Sequence, residues 1–164
     1  MAFDAFLKLD TIKGESKDAK HPGEMEIYSF SFGANNSTTI GSASMGAGGG
    51  KASFQGFSFM KKTDSASPLL FQACCQGTHI GTGGLTLRKS GGDNPVEYLK
   101  WKFKEVFVES IQWAGSSGGD DAPSESVSFV YGQQTIDYQP QGADGKASGG
   151  AIHGGWDVTV NQKA

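Results

Sequence analysis

The chain has 164 residues, of which 37% are hydrophobic and 19% charged, and its formal net charge is −3. These values indicate one globular domain that is long enough to bury a core. The acidic balance argues against nucleic acid as a main partner, because neutralising phosphates requires a basic surface. No apolar run reaches the roughly 18 residues that a membrane-spanning helix needs, so membrane insertion is not expected.

The N-terminal residues predict a short strand, a polar loop and a second strand. Apolar residues occupy every second position from Phe3 to Leu9, which is the period of a half-buried strand. In the second strand, Ser29 and Ser31 alternate with an aromatic core face formed by Tyr28, Phe30 and Phe32. The two serines therefore point away from the core. The apolar Met25 falls on the serine side, so this strand either bulges or is apolar on both sides at its start.

Further runs predict a protein made mostly of strands. They are Ser53–Met60, His79–Lys89, Val96–Glu105, Val106–Trp113, Ser126–Gln134, Thr135–Tyr138 and Trp156–Val160. One run alternates Leu99, Trp101 and Phe103 with Lys100, Lys102 and Lys104, which predicts one buried face and one solvated basic face. About nine strands with short polar connections favour an antiparallel barrel or sandwich.

A single helix is predicted near the middle of the chain. Ser67 is a candidate N-cap, with Asp64 as an alternative, Pro68 suits the first helical turn, and Gly77 can end the helix in the left-handed conformation. An apolar stripe is expected to be buried against the sheets, and it comprises Leu70, Phe71, Cys74 and Cys75. The two cysteines are the only ones in the chain, and we interpret them as buried, reduced core residues.

Three long loops separate the predicted strands: Asn35–Lys51, Ala114–Ser124 and Gln141–Gly155. The first contains a glycine cluster of Gly46, Gly48, Gly49 and Gly50. Loops of this length in a compact domain are usually functional or disordered.

The motifs that would carry chemistry are incomplete. Gly50-Lys51 looks like the end of a phosphate-binding loop, but Ala52 stands where Ser or Thr is required. Ser117 lies in a Gly-x-Ser-x-Gly pattern, yet no helix is predicted after it, as a hydrolase elbow requires. The three histidines, His21, His79 and His153, have no metal-ligand spacing. We therefore predict no catalytic residue, no metal and no cofactor.

Other exposed groups keep two interpretations open. Three tryptophans could line a carbohydrate site, although their alternating positions favour the core; they are Trp101, Trp113 and Trp156. Lys61-Lys62 and the lysine row of the basic face could meet an acidic partner, although a solvated sheet face is the simpler interpretation.

The order of these pieces resembles the Hcp (hemolysin-coregulated protein) family, the inner-tube subunits of bacterial type VI secretion systems. The pieces that carry the resemblance are Phe3–Asp10, Ile27–Gly33, Asp64–Gly77, Val106–Ser110, Glu125–Phe129, Tyr138 and Gly155-Trp156-Asp157. Together they span essentially the whole chain, with the loop Thr38–Gly50 its most divergent part.

The resemblance implies a mainly β protein, with residues 1–164 forming a single antiparallel two-sheet barrel and one short flanking helix. It implies a non-enzymatic homohexameric ring, rings stacked into a tube, a spike that caps the tube, a contractile sheath, and effectors carried in the lumen. It further implies residence in the bacterial cytoplasm and export without a signal peptide. We expect Ser29 and Ser31 on the lumen wall and the glycine cluster in ring stacking. The alternatives are a carbohydrate- or small-molecule-binding β-module, a hydrolase using Ser117, or the tube protein of another contractile injection system.

Overall fold

The alternating segments form ten β-strands in a computed structural model that describes residues 3–38, 48–89, 94–119 and 121–164. The strands are β1 Phe3–Leu9, β2 Met25–Ile27, β3 Ser29–Ser31, β4 Ala34–Asn36, β5 Ala52–Phe54, β6 Phe57–Lys62, β7 His79–Lys89, β8 Glu97–Ala114, β9 Ser124–Tyr138 and β10 Ile152–Asp157. One helix, α1 Ser67–Gln76, follows β6. All strand pairs given for the described residues are antiparallel, which confirms the predicted fold class.

The large sheet closes on itself through residues 25–31. Its strand order is β2-β1-β7-β8-β9-β6-β3, and only Tyr28 separates the two terminal strands, β2 and β3, in the chain. The Tyr28 amide donates to the Met60 carbonyl at 3.0 Å, and so continues the pairing of β3 with β6. A single stretch of chain thus joins both ends of the sheet into a barrel, while β4 and β5 form a small second sheet.

The bend at Tyr28 resolves the ambiguous pattern of the second predicted strand. Met25 and Ile27 are buried before the bend, and Phe30 packs on the core after it, so the inward positions change parity. Tyr28 itself is half exposed, so its predicted place on the core face is wrong.

Each of the two longest strands replaces two predicted strands. β8 continues through Glu105, which has a left-handed conformation (φ +57°). It also contains a bulge at Glu109, which lies between Val108 and Ser110 and has no paired residue on β9. β9 pairs with β8 along its length, and on its other side with β6 and then β10. The last residues of β8 pair only with β9 among the described strands.

An aromatic cluster fills the barrel. Phe57 is fully buried, with its ring 4.8 Å from Phe129 and 5.3 Å from Phe103, centroid to centroid. Trp101 meets the ring of Phe32 edge-on at 5.2 Å. Rings at these distances and angles stabilise a core beyond the area they bury, by about 0.5–1.5 kcal/mol a pair. The predicted buried face of β8 is therefore confirmed.

The helix has the predicted extent but not the predicted buried face. Gly77 ends it with φ +63°, as expected, whereas the N-cap position is occupied by Ala66 and neither Ser67, the first helical residue, nor Asp64 is the N-cap. Leu70 is fully buried, but Phe71 is 50% exposed and rests against Trp113. Cys75 is exposed and Cys74 half-buried, so the prediction of a wholly buried stripe with two core cysteines is wrong. The sequence pattern predicted an apolar stripe on the helix, but not which of its residues contact the barrel.

The predicted loop Asn35–Lys51 begins inside a short hairpin. Ala34–Asn36 pairs with Ala52–Phe54, and the Ser53 hydroxyl donates to Asn35 Oδ1 at 2.5 Å. The Phe54 ring stacks on Tyr131 at 5.1 Å and ties the hairpin to the barrel. The base of the loop is therefore ordered by strand pairing and by one aromatic contact.

Candidate functional site

A row of four serines crosses the outer surface of the barrel. Ser31 pairs with Ser58, Ser58 with Ser128, and Ser128 with Ser110, so the row spans β3, β6, β9 and β8. The hydroxyls of Ser110 and Ser128 are 2.8 Å apart and hydrogen bonded. Register alone produces this row, because each of the four strands has a serine at the matching outward position.

A second uncharged row lies beside the first. It consists of Ser29, Met60, Ser126 and Gln112, which are again in register across the same four strands. We call these eight residues the serine face. None of the eight residues is charged, and two charged residues border them: Glu109 in the β8 bulge and Lys62, two residues beyond Met60 on β6. The predicted outward position of Ser29 and Ser31 is thus part of a surface four strands wide.

The chemistry of the serine face is that of a neutral, hydrated wall. Hydroxyl groups both donate and accept hydrogen bonds, and each bond exchanged with water contributes only about 0.5–1.5 kcal/mol. Because the rows themselves contain no ionised group, they exert little long-range attraction or repulsion on a charged molecule near the surface. Such a surface can contact a polar protein at many points without holding it tightly.

The opposite part of the barrel carries the predicted basic face. Lys8, Gly84 and Lys102 form one row across β1, β7 and β8, and Lys104 is exposed two residues further along β8. Lys100 forms an ion pair with Glu97 at 2.5 Å. The prediction of a solvated basic face is therefore confirmed, and charge is segregated from the serine face.

The glycine cluster is only partly within the described residues. Gly46 lies outside them, and Gly48, Gly49 and Gly50 are exposed beside the β4–β5 hairpin. A Cβ at Gly50 would lie 2.0 Å from the Ser37 carbonyl oxygen, so close backbone approach requires glycine there. Gly48, Gly49 and Gly50 lie outside the strands of the large sheet, to which Ser29 and Ser31 belong.

The motifs that suggested other activities lie apart from the serine face. Ser117 is in the connection between β8 and β9, without the strand-to-helix turn of a hydrolase elbow. Trp101 is in the core as predicted, Trp156 is half-buried, and Trp113 is 44% exposed, so its predicted core position is wrong. Among the described residues, no group of three or more His, Cys, Asp or Glu side chains is placed to hold a metal.

A buried ionic cluster joins the barrel to the helix, and the sequence analysis missed it. Lys61 is fully buried, so its predicted solvated position is wrong; its Nζ lies 2.7 Å from Glu125 Oε1 and 2.5 Å from Asp64 Oδ1. The Ser67 hydroxyl donates to the same Glu125 oxygen at 2.9 Å. The signal was available, because Lys61 follows Phe57 and Phe59 at every second position of β6.

A second polar cluster fixes the loop between β1 and β2. His21 is buried and stacked on Phe6, and its two ring nitrogens meet Glu24 at 3.0 Å and Glu97 at 2.9 Å. Burial raises the pKa of Glu97, but hydrogen bonds from Lys100 and His21 outweigh it and leave the pKa below its ordinary value. The long-range partner of His21 on β8 could not be predicted from the sequence.

Arg88 anchors the same loop from β7. Its guanidinium donates to Asp18 at 2.6 Å and 3.1 Å and to Asp4 at 3.0 Å, and it lies 4.9 Å above the Phe6 ring. The hydrogen bond from Arg88 holds the pKa of Asp18 well below its usual range. Polar and charged side chains therefore fasten the loop to two strands, to β7 through Arg88 and to β8 through Glu97.

Comparison with known proteins places this barrel in a family. The sequence model described as "Type VI secretion system effector, Hcp" matches residues 6–138. The chain is 44% identical over 164 residues to Protein hcp1 of Pseudomonas aeruginosa PAO1, and the match covers all of both chains. The chain therefore belongs to the Hcp family of type VI secretion system proteins, as the sequence resemblance indicated.

Solved structures agree with the family assignment. A structure titled "Structure of a type six secretion system protein" has a TM-score of 0.92 at 38% identity, covering 99% of this chain and 100% of the other. Hcp1 from Salmonella typhimurium has a TM-score of 0.82 at 34% identity, with both chains fully covered. Within the described residues, no helix is long and apolar enough to cross a membrane.

Proposed function

We propose that this chain is the inner-tube subunit of a type VI secretion system. Six copies form a closed ring, rings stack into a tube, and effector proteins travel in the lumen. The serine face lines that lumen, with Ser29 and Ser31 among its contact residues. The protein acts by assembly and not by catalysis, and it leaves the bacterial cytoplasm through the secretion machine itself.

The single observation that carries the proposal is the serine face. A tube that passes many different proteins needs a wall that is hydrated, smooth and uncharged, because fixed charges would trap some passengers and exclude others. Eight uncharged side chains in two rows across four strands supply such a wall. A carbohydrate-binding module would need aromatic rings for stacking, and none of the eight is aromatic.

The other expected contacts follow from where the remaining surfaces lie. The β4–β5 hairpin with Gly48–Gly50 is a separate exposed element, and we propose that it contacts the next ring in the stack. The basic face lies away from the serine face and would face outward, towards the contractile sheath. The spike would cap the last ring of the tube.

The size of the protein in solution tests the ring. Mass photometry and sedimentation velocity at micromolar concentration should give a particle near six times the 17.2 kDa chain mass. Negative-stain images should show rings with a central hole. A monomer over the whole concentration range would reject the ring, and would favour a β-module that works alone.

A substitution on the serine face tests the lumen assignment. Ser31→Gln should leave folding and ring mass unchanged, since an exposed substitution usually changes stability by less than about 0.5 kcal/mol. The larger side chain should reduce the amount of co-purified effector by about tenfold, which corresponds to roughly 1.4 kcal/mol of contact free energy. Thr82→Gln, on the exposed surface of β7, is the matched control and should leave effector recovery unchanged. Equal recovery with both variants would remove the serine face from the lumen.

A further inference from the structure

The two lateral edges of the serine face are where neighbouring subunits would meet. This inference rests on the proposed ring, because a face that lines a lumen is continued on both sides by the same face of another copy. The face ends at β3 on one side and at the last residues of β8 on the other. Among the described strands, β3 pairs only with β6, and residues 110–114 of β8 pair only with β9. The β3 edge is thus open to a neighbour, whereas the β8 edge is bordered by helix α1 and not by another strand.

The β8 edge carries an exposed apolar patch. Helix α1 lies along this edge, where the Cys74 thiol donates to the Glu109 carbonyl at 3.5 Å. On the helix, Phe71 and Cys75 lie one turn apart on one side and are both exposed. The Phe71 ring is 5.9 Å from that of Trp113, and the two residues are 50% and 44% exposed. We call Phe71, Cys75 and Trp113 the helix patch.

The β3 edge carries a different surface, a cleft lined by both apolar and charged side chains. Phe3 and Tyr28 are 45% and 49% exposed, and both line a cleft of about 630 Å³. Phe3 is 6.3 Å from Phe30, the central residue of β3, so the cleft adjoins the edge strand itself. Ile27, which is itself buried, also lines the cleft, and we call Phe3, Ile27 and Tyr28 the strand-edge cleft. Charged side chains line the rest of it: Asp4, Lys17, Asp18, Glu26 and Arg88.

We propose that the helix patch of one subunit packs into the strand-edge cleft of the next subunit and forms the contact that closes the ring. Half-exposed aromatic residues are unfavourable in water and are enriched in protein interfaces. A closed ring needs two different, complementary surfaces on each subunit, so that every copy offers one and receives the other. These two patches meet that condition, because they lie at opposite edges of one face and their union makes the serine face continuous.

Site-specific photo-crosslinking identifies the neighbouring residues directly. With p-benzoylphenylalanine in place of Phe71, assembled rings of mixed ¹⁴N and ¹⁵N chains should give inter-chain crosslinks to the peptides that contain Phe3 or Tyr28. The same probe at Ile152, which is exposed on β10, is the control and should not reach those peptides. Rings of the correct mass whose Phe71 crosslinks map elsewhere would overturn this interface while leaving the proposed ring intact. A wild-type protein that forms no ring would overturn both.

Substitutions in the patches give a second measurement. Phe71→Ser and Tyr28→Ser should each raise the concentration at which rings dissociate by at least tenfold, because each removes an aromatic anchor. The far-ultraviolet circular dichroism of dilute, dissociated subunits should match the wild type, since both residues are half exposed. Ile152→Ser is the matched control for loss of an exposed apolar side chain. Rings as stable as those of the control would overturn the interface.

Discussion

Replacing Lys61 by Met should destabilise the protein strongly, although it puts an apolar residue at a fully buried position. In the native structure Lys61 Nζ meets Glu125 at 2.7 Å, Asp64 at 2.5 Å and the Ser67 hydroxyl at 3.1 Å. Methionine fills much of the same volume but offers no donor. The Glu125 carboxylate, which is 1% exposed, would keep only hydroxyl partners.

The expected size follows from the cost of leaving a buried charge unpaired. Breaking a buried ion pair by removing one partner typically costs about 3–5 kcal/mol. For a chain of this length, each kcal/mol lowers the melting temperature by about 2–4 °C, so the loss should be roughly 6–20 °C. Lys102→Met, on the exposed basic face, makes the same chemical change and should cost less than about 0.5 kcal/mol.

Urea and thermal unfolding of four proteins, with Lys102→Met as a fifth for control, test this reasoning at equal concentration. They are the wild type, Lys61→Met, Glu125→Leu and the double variant. The double variant removes both charges. Its loss of unfolding free energy should therefore be smaller than the sum of the two single losses by at least about 1 kcal/mol. Strictly additive losses, or a Lys61→Met protein as stable as Lys102→Met, would refute the description of the cluster as a coupled buried ion pair.

Two further predictions concern the loop between β1 and β2. The hydrogen bond from Arg88 keeps the pKa of Asp18 below its ordinary value, so this carboxylate stabilises the protein above about pH 4 and the stabilisation is lost as pH falls. Asp18→Asn should therefore lower stability at pH 7 and flatten its decline between about pH 5 and pH 2 in urea titrations; a curve parallel to the wild type would contradict this. Gly14→Ala would place a Cβ 2.6 Å from the Glu24 carbonyl oxygen and should cost about 1–3 kcal/mol in thermal unfolding, whereas Gly154→Ala meets nothing within 4 Å and should be neutral.

Local periodicity accounts for what could be predicted of the fold. The strands were found because apolar residues at every second position need a sheet to bury them, and the helix end was found because Gly77 takes a left-handed conformation. The boundary inside β8 was wrong because Glu105 adopts a positive φ without ending the strand. Lys104 and Val106, on either side of Glu105, both pair with β7 and β9 and so continue the strand, and no local signal reports that pairing.

Of the eight residues of the serine face, two could be predicted from the sequence, one in each row. The outward position of Ser29 and Ser31 follows from two alternating aromatic residues, Phe30 and Phe32. The register of four strands that are far apart in the chain places Ser58, Ser128 and Ser110 in the same row as Ser31. Their role in a lumen stays a prediction until ring and effector binding are measured.

The errors have a common physical cause. Phe71 belongs to an apolar helix stripe, yet only Leu70 and its buried neighbours reach the barrel, and Phe71 is left beside Trp113. Lys61 carries a charge, yet its strand position points inward, where Glu125 on the next strand neutralises it. The sequence by itself determined which residues share a face, because that depends on backbone geometry over a few residues. Only the tertiary structure decided what each face meets, because burial and charge pairing are set by segments distant in the chain.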